Sequence, residues 1–330
     1  MWNIFLKKKE KSEKPDLNLL TTSCIECPSC STVNSILNIQ PLTIIKCENC
    51  ENPLFVPYNI KGFWLYKPLG GGGMSSVYKA FHEKKPELSF AVKILPRDKK
   101  NNKYLIDALL REASTGKKFG RHPHLTAVID YGKYDDEYFS AMEFCEGKRL
   151  DLLIEEPTPI PQKLVLLWGL QILSAEQRIY DCGYLFKDLK PQNIIIDPDG
   201  NAKLIDYGLC EEIDKDPKEK GDSVEGSPLY MPPERIVGQQ ENMSSEIYSL
   251  GMVMFHALAK KTYYTATGAY ELAHKHIAAI RIATVASRMP PHVNPAICEL
   301  LDKMIARNPS DRIQTYKDAA AKIKTIYNNL

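Results

Sequence analysis

The sequence predicts an α+β fold: a small β-rich part, then a larger helical part, with a small β module ahead of both. Three observations carry this. Between about residues 63 and 145 the apolar residues mostly fall in short strand-like runs, interrupted by one helical stretch near 103–119. Beyond residue 160 they recur at helical spacing, most plainly over 164–180. Four cysteines stand as two CxxC pairs within the first fifty residues, where a chain too short for a core of its own needs another source of stability.

Composition sets the outer bounds. The 330 residues, 44% hydrophobic and 25% charged, are ordinary for a globular protein and could form one large domain or two to three smaller ones. A formal net charge of +2 is too small to argue for nucleic acid or an anionic membrane as partner. The longest apolar runs, 163–173 and 247–258, fall short of the roughly 18 residues a membrane span needs, so none is expected. The opening Met-Trp-Asn-Ile-Phe-Leu-Lys-Lys-Lys puts its apolar piece before its basic one, the reverse of a secretory signal. A cytoplasmic protein is the default expectation.

Residues 1–20 are rich in Lys and Glu and read as a flexible tail. Residues 21–57 contain Cys27, Cys30, Cys47 and Cys50 in the spacing CxxC–x16–CxxC. Two tight knuckles so spaced can present four thiolates tetrahedrally to one Zn²⁺. Four sulfur ligands leave no open position, so such a zinc is structural, and it would supply on the order of 10 kcal/mol of folding free energy. Cys24 also stands in CxxC spacing with Cys27; Cys27 and Cys30 are the preferred pair. Residues 36–39 and 42–45 read as short strands either side of Gln40-Pro41. The module resembles a zinc ribbon. Residues 58–62 read as a linker, and a new domain is expected from residue 63.

That domain opens with a glycine-rich turn, Leu69 to Ala80, in which Gly70, Gly72, Ser75 and Val77 sit at GxGxxGxV spacing with Ser for the third glycine. Next comes an apolar run, 90–95, with Lys93 in its middle. An unpaired buried lysine is costly, so either this is an edge strand or Lys93 has partners. The helix over 103–119 carries Glu112, and Arg121-His122-Pro123-His124-Leu125 reads as a turn with structural histidines. Residues 138–147 read as a strand ending in a Gly-terminated connector. Then come Asp188, Lys190 and Asn193 within Phe186-Lys187-Asp188-Leu189-Lys190-Pro191-Gln192-Asn193, and Asp206-Tyr207-Gly208 further on. These residue types suit phosphoryl transfer, which needs a carboxylate to accept a hydroxyl proton, a cation near the moving phosphoryl group and oxygen ligands for Mg²⁺.

Taken in order, these motifs resemble the Hanks-type (eukaryotic-like) serine/threonine protein kinases, in bacterial style. The resemblance implies a two-lobed protein-kinase-like fold, with a small lobe over 63–142, a hinge at 143–147 and a helical lobe over 148–330. It implies that Asp188 orients and deprotonates the substrate hydroxyl, that Lys190 offsets γ-phosphate charge, and that Asn193 and Asp206 hold Mg²⁺ (or Mn²⁺). Lys93, fixed by Glu112, would bind the α- and β-phosphates of ATP. Gly70, Gly72, Ser75, Val77, Ala91 and Met142 would surround the nucleotide, with the backbone of Glu143 and Cys145 bonded to adenine.

Several positions depart from the pattern. Phe186-Lys187 replaces His-Arg, and a lysine offers only a point charge where an arginine would grip a phosphate in two places. Activation by loop phosphorylation is therefore doubtful, although Ser223 and Ser227 in the polar loop 209–231 are candidate phosphosites. Tyr207 stands for Phe, and Glu246 for an Asp that would brace the catalytic loop. Glu234 is expected to pair with Arg312. The reading that follows is an ATP- and Mg²⁺-dependent serine/threonine kinase acting on protein substrates, with a zinc ribbon that docks a protein partner or regulates the enzyme. The alternative is a pseudokinase-like nucleotide-binding scaffold, disfavoured because Lys93, Asp188, Asn193 and Asp206 are all retained. Nucleic-acid binding by the ribbon is disfavoured too, since Lys46 and Lys61 make no basic stripe.

Overall fold

The computed structural model describes residues 14–71, 75–213, 226–277 and 284–330. The chain divides into two units, residues 1–110 with 129–144, and residues 111–128 with 145–330. The cysteine module and the β-rich part therefore share one unit.

In the first unit, helix α1 (Leu17–Thr21) starts at Asp16, whose carboxylate accepts from the Asn18 amide, and it buries Leu20. The tail expected over 1–20 thus ends in a folded turn; residues 1–13 lie outside the described residues. Strands β1 (Cys24–Glu26) and β2 (Val33–Ser35) pair antiparallel, and so do β3 (Ile44–Lys46) and β4 (Pro53–Phe55). This corrects the strand expected at 36–39, while the one expected at 42–45 is present as β3, shifted to 44–46. Each CxxC knuckle closes its own hairpin, and 36–39 is a turn between the two. The cause is local: the Ser31 amide bonds the Cys27 carbonyl and the Glu51 amide bonds the Cys47 carbonyl. Ser31 and Glu51 both adopt left-handed backbone, at φ 59° and 57°, which turns the chain straight back along the preceding strand.

Two residues after β4 comes β5 (Tyr58–Ile60), so the expected linker at 58–62 is instead a strand and its turn. Ile60 on it is fully buried, which is why this stretch joins the sheet. The sheet continues with β6 (Phe63–Gly71), β7 (Ser76–His82) and β8 (Lys85–Ile94). Helix α2 (Lys103–Phe119) intervenes before β9 (Val128–Tyr134) and β10 (Glu137–Glu143). The six strands lie in the order β5-β6-β7-β8-β10-β9. Strand periodicity splits β6 between two cores. Phe63 and Leu65 join Phe90, Val92 and Phe139 on one face, while Trp64 and Tyr66 face Leu20, Cys27, Cys47 and Leu54 on the other.

The second unit continues with β11 (Lys148–Arg149), α3 (Leu150–Glu155) and α4 (Gln162–Asp181). Short strands β12 (Tyr184–Leu185), β13 (Ile194–Ile196), β14 (Ala202–Leu204) and β15 (Glu211–Glu212) follow. They form two small sheets, β11-β13-β14 and β12-β15. After them come α5 (Pro233–Ile236), α6 (Met243–Ala259), α7 (Ala269–Ile277), α8 (Pro295–Met304) and α9 (Tyr316–Asn329). Helix α6 opens with a capping box between Asn242 and Ser245 and is buried almost all round, as its apolar composition requires. No helix among the described residues is long and apolar enough to cross a membrane.

Candidate active site

In the second unit the chain enters the site through β12, and Phe186, 1% exposed, anchors it in the interior. Pro191–Asn193 then forms one tight helical turn that carries Asn193 back towards Asp188. The Asn193 side-chain amide donates to Asp188 Oδ2 at 2.8 Å and to the Asp188 carbonyl at 2.9 Å. Lys190 Nζ donates to the same Oδ2 at 2.7 Å. Asp188 is 9% exposed, and its other oxygen, Oδ1, is buried without a hydrogen-bond partner among the described residues. Burial pushes the Asp188 carboxyl above its ordinary range; Lys190 and Asn193 oppose that, and Asp206 adds to it.

Two non-glycine residues beside this turn hold left-handed backbone, Lys187 at φ 66° and Asp206 at φ 73°. Such conformations persist only where surrounding contacts fix them, and both are fixed. Asp206 Oδ1 accepts from the Gly208 amide at 3.0 Å. Tyr207 between them turns inward, its hydroxyl donating to the Thr126 carbonyl at 2.7 Å and its ring 5.2 Å from Phe119. Helix α2 makes room for that ring at Gly116, where a Cβ would lie 2.5 Å from Tyr207. Sequence reasoning passed over Gly116; its signal was a lone glycine inside a strong helical pattern. Glu112 reaches the triplet from the same helix, with Oε2 3.7 Å from where a Cβ on Gly208 would stand.

Lys187 is held from every side. Its amide donates to both oxygens of Glu246, at 3.1 and 3.2 Å. Its Nζ pairs with Glu211 and, at 3.0 Å, with Glu241. Its carbonyl accepts from Arg235, which also pairs with Glu241 at 2.6 Å. Glu211, Glu241 and Arg235 were not legible as partners, because the pairing residues lie on three separate segments. Burial raises the Glu246 carboxyl to about 7, and burial together with Glu246 raises Glu176 on α4 well above the ordinary range.

Of the other candidate nucleotide residues, Gly70, Val77, Ala91, Lys93, Met142 and Glu143 stand on neighbouring strands of the first unit. Val77 pairs with Lys93, Gly70 with Val77, Ala91 with Met142, and Phe90 with Glu143. β8 lies between β7 and β10, so Lys93 stands half-buried on an interior strand and the edge-strand possibility is gone. Ser75 is half-buried, and Gly72 lies outside the described residues. Cys145 belongs to the second unit, its Sγ 3.4 Å from the Thr126 hydroxyl. Ser223 lies outside the described residues, and Ser227 precedes a turn that its carbonyl closes with the Tyr230 amide at 3.0 Å.

The family model described as "Protein kinase domain" matches residues 63–323. The chain belongs to the protein kinase family. It is 32% identical to the serine/threonine-protein kinase PrkC of Bacillus subtilis, over 80% of this chain and 40% of that protein. It is 30% identical to a probable serine/threonine-protein kinase of Clostridium perfringens, over 79% of this chain and 38% of that one. It is also 30% identical to the serine/threonine-protein kinase ULK3 of Homo sapiens, over 79% of this chain and 54% of that one. The chain thus spans about half or less of the length of the curated relatives it matches.

The kinase match begins at residue 63 and leaves the cysteine module outside it. There the Sγ atoms of Cys27, Cys30, Cys47 and Cys50 lie within 4.8 Å of one another. Two contacts between the knuckles, Cys27 to Cys50 and Cys30 to Cys47, are 3.6 Å each. A set of four sulfurs this close is compatible with zinc. Cys24 stands outside the group.

Proposed function

We propose that this kinase transfers the γ-phosphate of ATP to serine or threonine hydroxyls of protein substrates. The observation that carries the reading is the state of Asp188. One carboxylate oxygen is occupied by Lys190 and Asn193, and the other is buried with no partner among the described residues. An oxygen left open in this way supports a role in accepting the proton of an incoming hydroxyl, and burial makes it a better base by disfavouring its charge. Lys190, beside that oxygen's twin, supplies positive charge near the phosphoryl group in flight. Asn193 spends its side-chain N–H groups on Asp188, which leaves its amide oxygen as a ligand. With the Asp206 carboxylate it makes a hard-oxygen donor set suited to Mg²⁺ or Mn²⁺. The metal would neutralise charge on the phosphate oxygens.

Gly70, Gly72, Ser75, Val77, Ala91, Lys93, Glu112, Met142, Glu143 and Cys145 are proposed as the nucleotide-binding residues. Ser223 and Ser227 remain proposed phosphosites. Zn²⁺ on Cys27, Cys30, Cys47 and Cys50 is proposed as structural, and cytoplasmic localisation is part of the same reading. The test is transfer of label from γ-labelled ATP with Mg²⁺ to the protein itself and to a generic basic substrate. We expect label on serine or threonine, and for Asp188→Asn a rate lower by on the order of 10²–10⁴-fold with nucleotide binding retained. Nucleotide binding without any transfer would instead establish the scaffold.

A further inference from the structure

A zinc ribbon read as a tethered docking module should leave the sheet behind it complete in itself. The first unit is built otherwise. Tyr66 on β6 and Phe81 on β7 point away from the main core of the sheet, yet they are only 8% and 1% exposed. What covers them is the cysteine module: they share one apolar cluster with Leu20, Cys27, Cys47 and Leu54. Their rings meet at 5.9 Å across the two strands, beneath that cover. Separately from that cluster, Phe55 of β4 lies with its ring 5.9 Å from that of Tyr78, which packs against the main core of the sheet, the two rings inclined by 31°.

Tyr78 stands opposite Pro68, and the next pair along is Gly70 with Val77. Between those two pairs the ladder slips its register. The irregularity weakens the pairing of β6 with β7 at this point, while β7 stays paired with β8 from Ser76 to Ala80, so packing against Tyr78 adds to what aims the β6 end. Phe55 is the module's contribution at that point.

Resting on the kinase reading above, we propose that the cysteine module braces the nucleotide-binding hairpin β6–β7, with Phe55 as its positioning residue. The four sulfurs link the β1–β2 and β3–β4 hairpins, and β4 carries Phe55. Whatever holds the sulfurs together therefore holds Phe55 against Tyr78. Through that contact the metal state of the module sets the affinity of the kinase for ATP.

The test uses the full chain and two readouts, affinity for a fluorescent ATP analogue and amide exchange over residues 76–80. Phe55→Ala is expected to raise Kd and the KM for ATP several-fold with kcat held, and to speed exchange in β7. Phe55→Leu, which keeps apolar bulk, is expected to recover most of both. A zinc chelator applied to the wild type should reproduce the shift, and applied to Phe55→Ala should add little, because the two changes break one contact chain. Should Phe55→Ala fail to fold, Phe55→Leu and the chelator carry the test. Nucleotide affinity and β7 exchange that ignore both the chelator and the Phe55 variants would overturn the brace. So would a loss confined to kcat. If β7 exchange responds as expected while no phosphoryl transfer is found, the brace stands and the kinase reading falls.

Discussion

At Glu246 two requirements compete. Its carboxyl accepts the single Lys187 N–H in a bond shared between both oxygens, which favours the charged form, yet it is fully buried near Glu176, another buried acid. The result is a carboxyl raised to about 7 from an ordinary 4.5. Because the folded-state value lies above the unfolded one, its contribution to stability is complete below about 4.5 and is lost as pH climbs through about 7. Glu246→Gln keeps an acceptor oxygen and removes the charge. The variant should therefore gain on the wild type between about pH 5 and pH 8, by on the order of 1–3 kcal/mol, read as the difference of two Tm-against-pH curves. Parallel curves would show that Glu246 does not titrate in this window. Half of this arrangement was legible: Glu246 stands where the family pattern asks for a bracing acid. Glu176 was not, since it sits on α4, a helix whose apolar spacing reads as plain core, and one acid in such a stripe looks like any solvated charge.

At the scale of elements, the start of α5, the entrance to α6 and the loop before α9 are pinned by one buried pair. Arg312 donates to the two oxygens of Glu234 at 2.6 and 2.7 Å, with both side chains nearly inaccessible. Removing one partner leaves a buried charge alone, so Arg312→Ala should cost about 3–5 kcal/mol in denaturant unfolding. Arg312→Lys keeps the charge and loses the fork, and should fall between. A cost below about 1 kcal/mol for Arg312→Ala would mean that water reaches the site in solution. This pair was legible across 78 residues only because the motifs at both ends resemble a known family. The hairpins of the cysteine module were not. They depend on left-handed backbone at Ser31 and Glu51, and nothing in those residue types announces it, whereas a glycine would have.

For the molecule as a whole, the order of motifs along the chain was enough to foresee a β-rich part and a helical part. Where the first module ends was not. Tyr58–Ile60 is only three residues long, too short for alternation to separate a strand from a linker. The aromatic residues Trp64, Tyr66 and Phe81 look like ordinary strand residues until the structure shows that the module covers them. Each buries on the order of 150–250 Å², which is large against the small core of a module of this size.

That covered face also has a history within each molecule's synthesis. A ribosome adds about 5–20 residues per second. Cys50 therefore emerges roughly two to six seconds before Phe81, the last of the aromatic residues the module covers. A module that takes up zinc in that interval is already folded when β6 and β7 appear, and it meets them as a finished template. One that misses the metal leaves their aromatic face open while the rest of the kinase is still being made. Zinc withheld during synthesis should then lower the soluble yield far more than the same zinc stripped from finished protein, and equal losses would show that the strands close without a template.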